Sequence, residues 1–161
     1  MLIRRANEND TGAVLDLLSQ VLEVHAWIRP DIFISGTTKY SAEDLARMYR
    51  DDDRPIYVAE EDGAVRGYVF CQIRRPSASA PMMVPQTVLY VDDLCVDAWS
   101  RRKHVGLALF DHVKKEARRL GCDTVTLNVW EGNDAALKFY RSIGMKTRSR
   151  MMEYDLNRKE D

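Results

Sequence analysis

The amino-acid sequence predicts an α/β (α+β) domain in which helices cover a mixed β-sheet. Three observations favour this class: apolar residues recur at helical spacing in several segments, β-branched residues are concentrated between those segments, and glycine-containing turns separate the two types. The chain has 161 residues, 45% hydrophobic and 30% charged, which suits one globular domain spanning 1–161.

The first half of the chain is expected to supply three strands. Leu2 to Ala6 is the first, and Pro55 to Glu61 and Val65 to Ile73 form a hairpin around the turn Glu61-Asp62-Gly63. The predicted order for the whole chain is β-α-α-β-β-β-α-β-α-β, with a possible seventh strand, so the sheet has six to seven strands and about four helices flank it.

Two helices are expected between the first strand and the hairpin. Asn9 or Asp10 can cap the first, whose apolar face contains Val14, Leu17, Leu18, Val21 and Leu22. The segment from His25 to Tyr40 is expected to be irregular. Ser41 and Asp44 then resemble a capping box at the start of a second, short helix.

The second half is expected to alternate strands and helices after a Pro/Ser/Ala-rich loop. Its predicted elements are the loop Arg74 to Pro85, a strand Thr87 to Val96, a helix Val105 to Leu120, a strand Thr124 to Trp130, a helix Asn133 to Ile143, and one or two closing strands within Met145 to Leu156. Gly121 and Gly144 mark the ends of the two helices.

Composition narrows the function classes. The formal net charge of -1 gives no global attraction to nucleic acid or anionic membranes, so an anion site must be local. Three cysteines without a CxxC pair suggest neither a disulfide framework nor a zinc site, and no metal is expected. No signal peptide or membrane span is evident, and we expect a cytoplasmic protein with reduced thiols.

A basic loop between a predicted strand and helix is a candidate anion site. Arg101, Arg102 and Lys103 lie beside a helix N-terminus, where free backbone N–H groups and the helix dipole favour a pyrophosphate. Gly106 would let the backbone approach such a ligand closely. The alternative is a solvated basic turn that only caps the helix. The Walker and Rossmann phosphate-binding patterns are absent.

Two motifs in the second half resemble the GCN5-related N-acetyltransferase (GNAT) superfamily. Arg101 to Gly106 is similar to the [Q/R]-x-x-G-x-[G/A] loop of the family, with His104 where the first glycine usually stands. The segment Asn133 to Gly144 resembles the N-x-x-A-x-x-F-Y-x-x-x-G block. Within this family, the sequence has some likeness to the diamine and polyamine acetyltransferase branch.

The resemblance implies the family fold, with central strands that splay apart around the pantetheine arm of acetyl-CoA. The resemblance also implies that a primary amine attacks the acetyl group of acetyl-CoA directly, in a ternary complex. By analogy with the family, the protein could form a homodimer. The cofactor-binding residues that it implies are Leu94, Cys95, Val96, Arg101, Arg102, Lys103, His104, Val105, Gly106, Leu107, Ala108, Asn128, Asn133, Ala136 and Tyr140.

Three residues are the candidates for catalysis. Tyr140 matches the family position of a tyrosine acid near the CoA sulfur, although its helical spacing also fits a core aromatic. Asp92 and Asp93 lie in mid-strand, where Asp is depleted and adjacent side chains point to opposite faces unless a bulge intervenes. One of them is expected to attract a cationic amine and accept its proton. Residue types alone leave open which one.

Four residues are expected to line the acceptor pocket: Trp27 and Phe33 in the segment after the first helix, and Trp130 and Glu131 after the splayed strand. A satellite core under the loop is the alternative. Asn133 is expected to cap its helix. We expect Cys95 to pack rather than to act as a nucleophile, and His25 to be a surface or packing residue.

The sequence therefore predicts an acetyl-CoA-dependent N-acetyltransferase acting on a cationic small-molecule amine. A protein amine is an alternative acceptor, and a non-catalytic acetyl-CoA-binding regulator is an alternative function that retention of Tyr140 and the Asp pair argues against. A nucleic-acid-binding role has poor support, because it rests on one short basic run.

Overall fold

The computed structural model describes residues 1–77 and 80–157, so two residues of the predicted 74–85 loop and the last four of the predicted domain lie outside the described residues. The strands are β1 (Leu2–Arg5), β2 (Ile56–Glu61), β3 (Ala64–Arg74), β4 (Val88–Val96) and β5 (Thr124–Leu127). The helices are α1 (Thr11–Ile28), α2 (Ala42–Met48), α3 (Val105–Arg119) and α4 (Asp134–Ser142).

The five strands form one mixed sheet in the order β1-β2-β3-β4-β5, which confirms the predicted fold class. The first four strands pair antiparallel, and β5 pairs parallel with β4. The predicted hairpin joins β2 and β3. Asp62 and Gly63 form its turn, with φ values of 53° and 73°, because a two-residue hairpin connection favours positive φ at both positions.

Helices cover both faces of the sheet. Ile56 and Val58 of β2 belong to a buried cluster that includes residues of α1 and α2, whereas Tyr57 and Ala59 belong to a second cluster that includes residues of α3. Central strands buried on both faces carry apolar residues in unbroken runs, as β2 does.

The α3 helix packs unusually close to the sheet at Gly67. A Cβ atom at this position would lie 2.8 Å from the carbonyl oxygen of Cys95 and 3.2 Å from side-chain atoms of Leu109 and Val105. Only glycine fits, and the start of α3 is thereby held against β3 and β4.

A β-bulge interrupts β4 at the aspartate pair. Phe70 pairs with Asp93 and Cys71 pairs with Val91, so Asp92 is the additional residue. Val91 packs in the α3-side cluster, and Phe70, opposite Asp93, packs in the α1-side cluster. The bulge thus turns both aspartates toward the α1 side, whereas a regular strand would alternate them.

The parallel ladder between β4 and β5 ends beside this bulge. It joins Val88–Val91 to Thr124–Leu127, and β4 then continues to Val96 with only β3 as a neighbour. The strand predicted over Thr124 to Trp130 accordingly ends at Leu127. This separation is the predicted splay of the central strands.

The closing strands predicted within Met145 to Leu156 do not form in the described residues, so the sheet has five strands rather than six or seven. Residues 146–150 (Lys-Thr-Arg-Ser-Arg) are all polar and exposed, and they offer no apolar face for a helical layer to cover. The irregular segment expected from His25 also begins later, because α1 continues to Ile28.

The turn before α3 contains two non-glycine residues in the left-handed region. After a single 3-10 turn at Ala98–Ser100, Arg102 has φ 60° and His104, which caps α3, has φ 63°. This conformation costs a residue with a Cβ atom roughly 1–2 kcal/mol. The backbone therefore adopts a glycine-like conformation at the position where the sequence has histidine.

We expect His104→Gly to increase the free energy of unfolding by about 1 kcal/mol, because glycine adopts positive φ without a steric penalty. Lys103→Gly is the matched control: Lys103 has no positive φ, so glycine there should add only unfolded-state flexibility and lower stability. Urea unfolding followed by circular dichroism measures both. Equal changes for the two variants would contradict the strain at His104.

Candidate active site

A cavity of about 570 Å³ lies where β4 and β5 separate. Asp92, Asp93 and Leu94 line one side, residues 127–130 line the other, and α4 contributes Tyr140. The remaining wall comes from α1 and from the loop that follows it. The splay thus opens a space to which all three predicted catalytic residues contribute.

Asp93 has an environment that favours its protonated form. Burial, with the nearby charge of Asp92, raises the pKa of Asp93 to about 6, and the positive charge of Lys39 opposes this shift. The buried Tyr68 hydroxyl donates a hydrogen bond to Asp93 Oδ2 at 3.2 Å. This carboxyl group can therefore exchange a proton near neutral pH.

Asp92 is held in its ionised form. Burial acts to raise its pKa, but hydrogen bonds to Asp92 Oδ2 from Lys39 Nζ and the Tyr40 hydroxyl, both at 2.8 Å, keep the pKa below its ordinary value. The charges of Lys39 and Arg74 act in the same direction. The two adjacent aspartates consequently have opposite pKa shifts.

Tyr140 extends from α4 into the same cavity. Burial and the negative charge of Asp93 raise its pKa, so the phenol keeps its proton at neutral pH. Its ring contacts Phe110 and Phe139, with centroid distances of 6.2 and 5.2 Å. Tyr140 is thus both packed against aromatic neighbours and exposed to the cavity.

The basic loop offers unpaired backbone donors. Among the described residues, no backbone N–H of residues 101–107 donates a hydrogen bond, and the first such bond at this end of α3 runs from Ala108 N to His104 O at 3.0 Å. Arg101, Arg102 and Lys103 are exposed beside these donors. Unpaired donors beside exposed cations are the arrangement that an anion site requires.

Gly106 has a packing role in this loop. A Cβ atom at Gly106 would lie 3.3 Å from Phe139 Cζ and 3.6 Å from Val96 Cγ2. The missing side chain lets α3 approach α4 and β4. The ligand approach expected from the sequence stays a prediction. Val105 is also buried in the core, whereas Leu107 is partly exposed.

The N-terminus of α4 lies at the cavity. The Asn133 side chain accepts a hydrogen bond from Ala136 N at 3.2 Å, which confirms the predicted cap. Asn128, Asn133 and Ala136 all line the cavity.

Two of the four residues predicted for the acceptor wall line the cavity. Phe33 and Trp130 line the cavity and meet edge to face with a centroid distance of 5.1 Å. Trp27 and Glu131 do not line it. Trp27 is 84% exposed because α1 continues through this position and turns the side chain to solvent, and Glu131 lies exposed in the turn before α4.

Cys95 is a packing residue, as expected. It is buried in the α1-side cluster, and burial raises the pKa of its thiol to about 12. A thiol that stays protonated is a weak nucleophile.

Four cavity or supporting residues were missed by sequence reasoning: His25, Lys39, Tyr40 and Tyr68. His25 packs on Phe33 at 5.2 Å between ring centroids, which is one of its two expected roles, and it also lines the cavity, which was not expected. Tyr68 meets Asp93 only through the bulged register of β3 and β4. The aspartate pair allowed for a bulge, but no signal in the sequence indicates which β3 residue lies beside it.

The described residues contain neither a cluster of metal-ligating side chains nor a membrane-spanning helix. No group of three or more His, Cys, Asp or Glu side chains within residues 1–77 and 80–157 is arranged to hold a metal ion. In the same ranges, each helix is too short or too polar to cross a bilayer.

Comparison with known structures supports the fold. The BH1408 protein from Bacillus halodurans, solved in a mutant form, is 27% identical, with a TM-score of 0.92 over 97% of this chain and 99% of that protein. The aminoglycoside N-acetyltransferase AAC(6')-Iy, solved with CoA, is 18% identical, with a TM-score of 0.70 over 99% and 100% of the two chains.

A third relative is an aminoglycoside acetyltransferase from an uncultured soil metagenomic sample, solved with sisomicin. It is 18% identical, with a TM-score of 0.69 over 98% of this chain and 96% of that chain. Because the two aminoglycoside acetyltransferases are only 18% identical to this chain, the comparison with them shows a shared fold alone. The sequence profile of the acetyltransferase (GNAT) family matches residues 21–145. This match covers most of the chain and includes both motifs and the aspartate pair, and the protein therefore belongs to the GNAT acetyltransferase family.

Proposed function

We propose that this protein transfers an acetyl group from acetyl-CoA to the primary amine of a cationic small molecule. The observation that carries the proposal is the meeting of Asp93 and Tyr140 in one cavity between the splayed strands. Asp93 has a pKa of about 6, and Tyr140 keeps its proton at neutral pH. Such a pair suits proton removal from an amine and proton donation to a thiolate.

The chain has groups that fit acetyl-CoA. The unpaired N–H groups of residues 101–107, with Arg101, Arg102 and Lys103, suit its pyrophosphate. From Leu94 to Val96, the β4 edge that faces away from β3 has no strand partner, which leaves it open to the pantetheine arm. Arg101 Nε donates a hydrogen bond of 3.4 Å to Val96 O on β4. Leu107 and Ala108 lie in the first turn of α3, and Asn128, Asn133 and Ala136 line the cavity. Bound acetyl-CoA would supply the reactive thioester.

Asp93 is proposed as the general base. An aliphatic amine reaches the cavity as an ammonium ion and must lose a proton before it can attack a carbonyl carbon. The Asp93 carboxylate accepts this proton directly or through a water molecule. Tyr68 holds the carboxylate in position through its 3.2 Å hydrogen bond.

Asp92 and Tyr140 have different proposed tasks. Asp92 stays ionised over the neutral pH range, because its pKa lies below the ordinary value, and it attracts the cationic acceptor. Tyr140 donates its proton to the departing sulfur, and its position on α4 directs the phenol into the cavity.

The cavity chemistry favours a small cationic acceptor. Two carboxyl groups and the aromatic rings of Phe33 and Trp130 are typical surroundings for an amine cation. A volume of about 570 Å³ is in the range of small-molecule sites. The two aminoglycoside acetyltransferases of similar fold, of which one was solved with sisomicin, act on amines of this class.

A panel of amines tests the proposed reaction directly. Release of free CoA thiol is measured with diamines, aminoglycosides, amino acids and a lysine-containing peptide. Turnover of diamines or aminoglycosides above that of amino acids and of the lysine-containing peptide is the expected result. Tight acetyl-CoA binding without thiol release for any amine would instead identify a non-catalytic binding protein.

We expect Tyr140→Phe to lower kcat by about 100-fold with little change in acetyl-CoA affinity, because the change removes only the acidic proton. Tyr154→Phe is the matched control, since Tyr154 is exposed outside the cavity and its loss should leave kcat unchanged. Steady-state kinetics and calorimetric titration give the two quantities. An undiminished kcat in Tyr140→Phe would rule out the acid role.

Activity should also depend on the ionisation of Asp93. We expect kcat/KM to rise with pH through about 6, because the raised pKa keeps the base protonated, and therefore inactive, below that pH. Asp93→Asn should abolish this acidic limb and lower the rate by about 100-fold. The titratable or charged groups that interact with Asp93 are Asp92, Lys39, Tyr40, Tyr68, Cys95 and Tyr140.

Asp92→Asn is the control for this profile. It removes a negative charge that raises the pKa of Asp93, so the acidic limb should persist and move to lower pH. A limb that survives in Asp93→Asn and disappears in Asp92→Asn would reverse the two assignments.

A further inference from the structure

A lysine of the chain itself occupies the cavity. Lys39 lies in the loop between α1 and α2, lines the cavity, and has a side chain that is 41% exposed. Its Nζ atom lies 2.8 Å from Asp92 Oδ2. None of the other lysines of the described residues lines this cavity.

The surroundings of Lys39 hold its amine beside the aspartate pair. Lys39 Nζ is 5.4 Å from the centre of the Tyr40 ring, and the Tyr40 hydroxyl donates to the same Asp92 oxygen that accepts from Lys39. The bulge in β4 places Asp93 next to Asp92 on this side of the sheet. A primary amine of the protein is thus already present where an external acceptor would bind.

The electrostatic interactions indicate that Lys39, Asp93 and Tyr140 lie close together in the cavity. The charge of Lys39 lowers the pKa of Asp93, and the charge of Asp93 raises the pKa of Tyr140. Lysine also has a flexible four-carbon stem, so a bond rotation can move Nζ away from Asp92 without any backbone change.

We propose that Lys39 is acetylated within its own cavity when acetyl-CoA is bound and no external amine is present. This inference rests on the proposed acetyltransferase function and adds to it a modification site on the protein itself. The reactive class is an acetyl thioester, and the product is an Nε-acetyl-lysine at position 39.

The step balances as follows. The Lys39 nitrogen forms a bond to the acetyl carbon, and the carbon–sulfur bond breaks with its electron pair going to sulfur. Asp93 takes one proton from the Lys39 ammonium and releases it to solvent. Tyr140 protonates the sulfur and regains a proton from the same nitrogen as the amide forms. An ammonium and a thioester thus give an amide, a thiol and one released proton.

Acetylation would change the charge of the cavity. The acetylated nitrogen is neutral, so Asp92 loses its 2.8 Å ion pair. The freed carboxylate can then pair with a cationic acceptor, with which the Lys39 ammonium otherwise competes.

The test is mass spectrometry of the intact 161-residue chain. The purified chain is incubated with acetyl-CoA and no amine, and intact mass and peptide mapping are recorded before and during incubation. We expect one acetyl group at Lys39, gained about 100-fold faster than at exposed Lys115 and Lys146, which report uncatalysed acetylation. The rate per protein molecule should not depend on protein concentration, because the reaction is intramolecular.

Three variants distinguish acetylation of Lys39 that the cavity residues catalyse from acetylation that follows only from exposure of a lysine. Tyr140→Phe and Asp93→Asn should slow acetylation of Lys39 but not of Lys115 or Lys146. Lys39→Arg keeps the positive charge beside Asp92 and should remove the specific modification. Acetylation of Lys39 no faster than of Lys115 and Lys146, or equally fast in Tyr140→Phe, would overturn the inference.

The outcome also distinguishes this inference from the function on which it rests. If external amines are acetylated while Lys39 stays unmodified, the modification site is wrong and the acetyltransferase function stands. If neither Lys39 nor any amine gains an acetyl group, the acetyltransferase function itself is wrong.

Discussion

The extra residue at Asp92 is the constraint on which the site depends. A regular β4 would continue its parallel ladder with β5 beyond Val91 and Leu127, and no cavity would separate the two strands. The bulge increases the local twist and ends the pairing at this point. The open edge of β4 and the space beside it follow from one inserted residue.

The same bulge gives two neighbouring carboxyl groups different chemistry. In a regular strand, Asp93 would share the face of Val91, which packs in the apolar cluster that contains α3 residues. With the bulge, both aspartates line one cavity, where Lys39 and Tyr40 stabilise the ionised form of Asp92. Burial beside that negative charge raises the pKa of Asp93 to about 6. Position in the strand, more than residue type, gives the two carboxyl groups their opposite pKa shifts.

Local signals account for the elements that the sequence predicted well. The hairpin turn at Asp62-Gly63, the Asn133 cap and the apolar stripe of α3 each depend on residues close together in the chain. The resemblance of two motifs predicted the splayed strands and the shared site of Asp92, Asp93 and Tyr140.

Sequence reasoning failed where long-range packing decides. Tyr68 approaches Asp93 through a bulged register, and Lys39 reaches Asp92 across 53 positions of the chain. The exposure of Trp27 depends on where α1 ends, which periodicity locates poorly. The prediction of closing strands within Met145 to Leu156 was wrong. Residue types that favour strands do not by themselves provide a sheet edge to pair with or a helical layer to pack against.

The most direct test of this account is calorimetric titration of acetyl-CoA into a chain from which Asp92 has been deleted. The deletion removes the bulge but keeps the pairs Phe70 with Asp93 and Cys71 with Val91, so the sheet can still form. Asp92→Asn keeps the bulge and is the matched control. The account predicts a folded deletion variant without measurable acetyl-CoA binding, alongside a control that still binds. A folded deletion variant that binds acetyl-CoA as the unmodified chain does would contradict it.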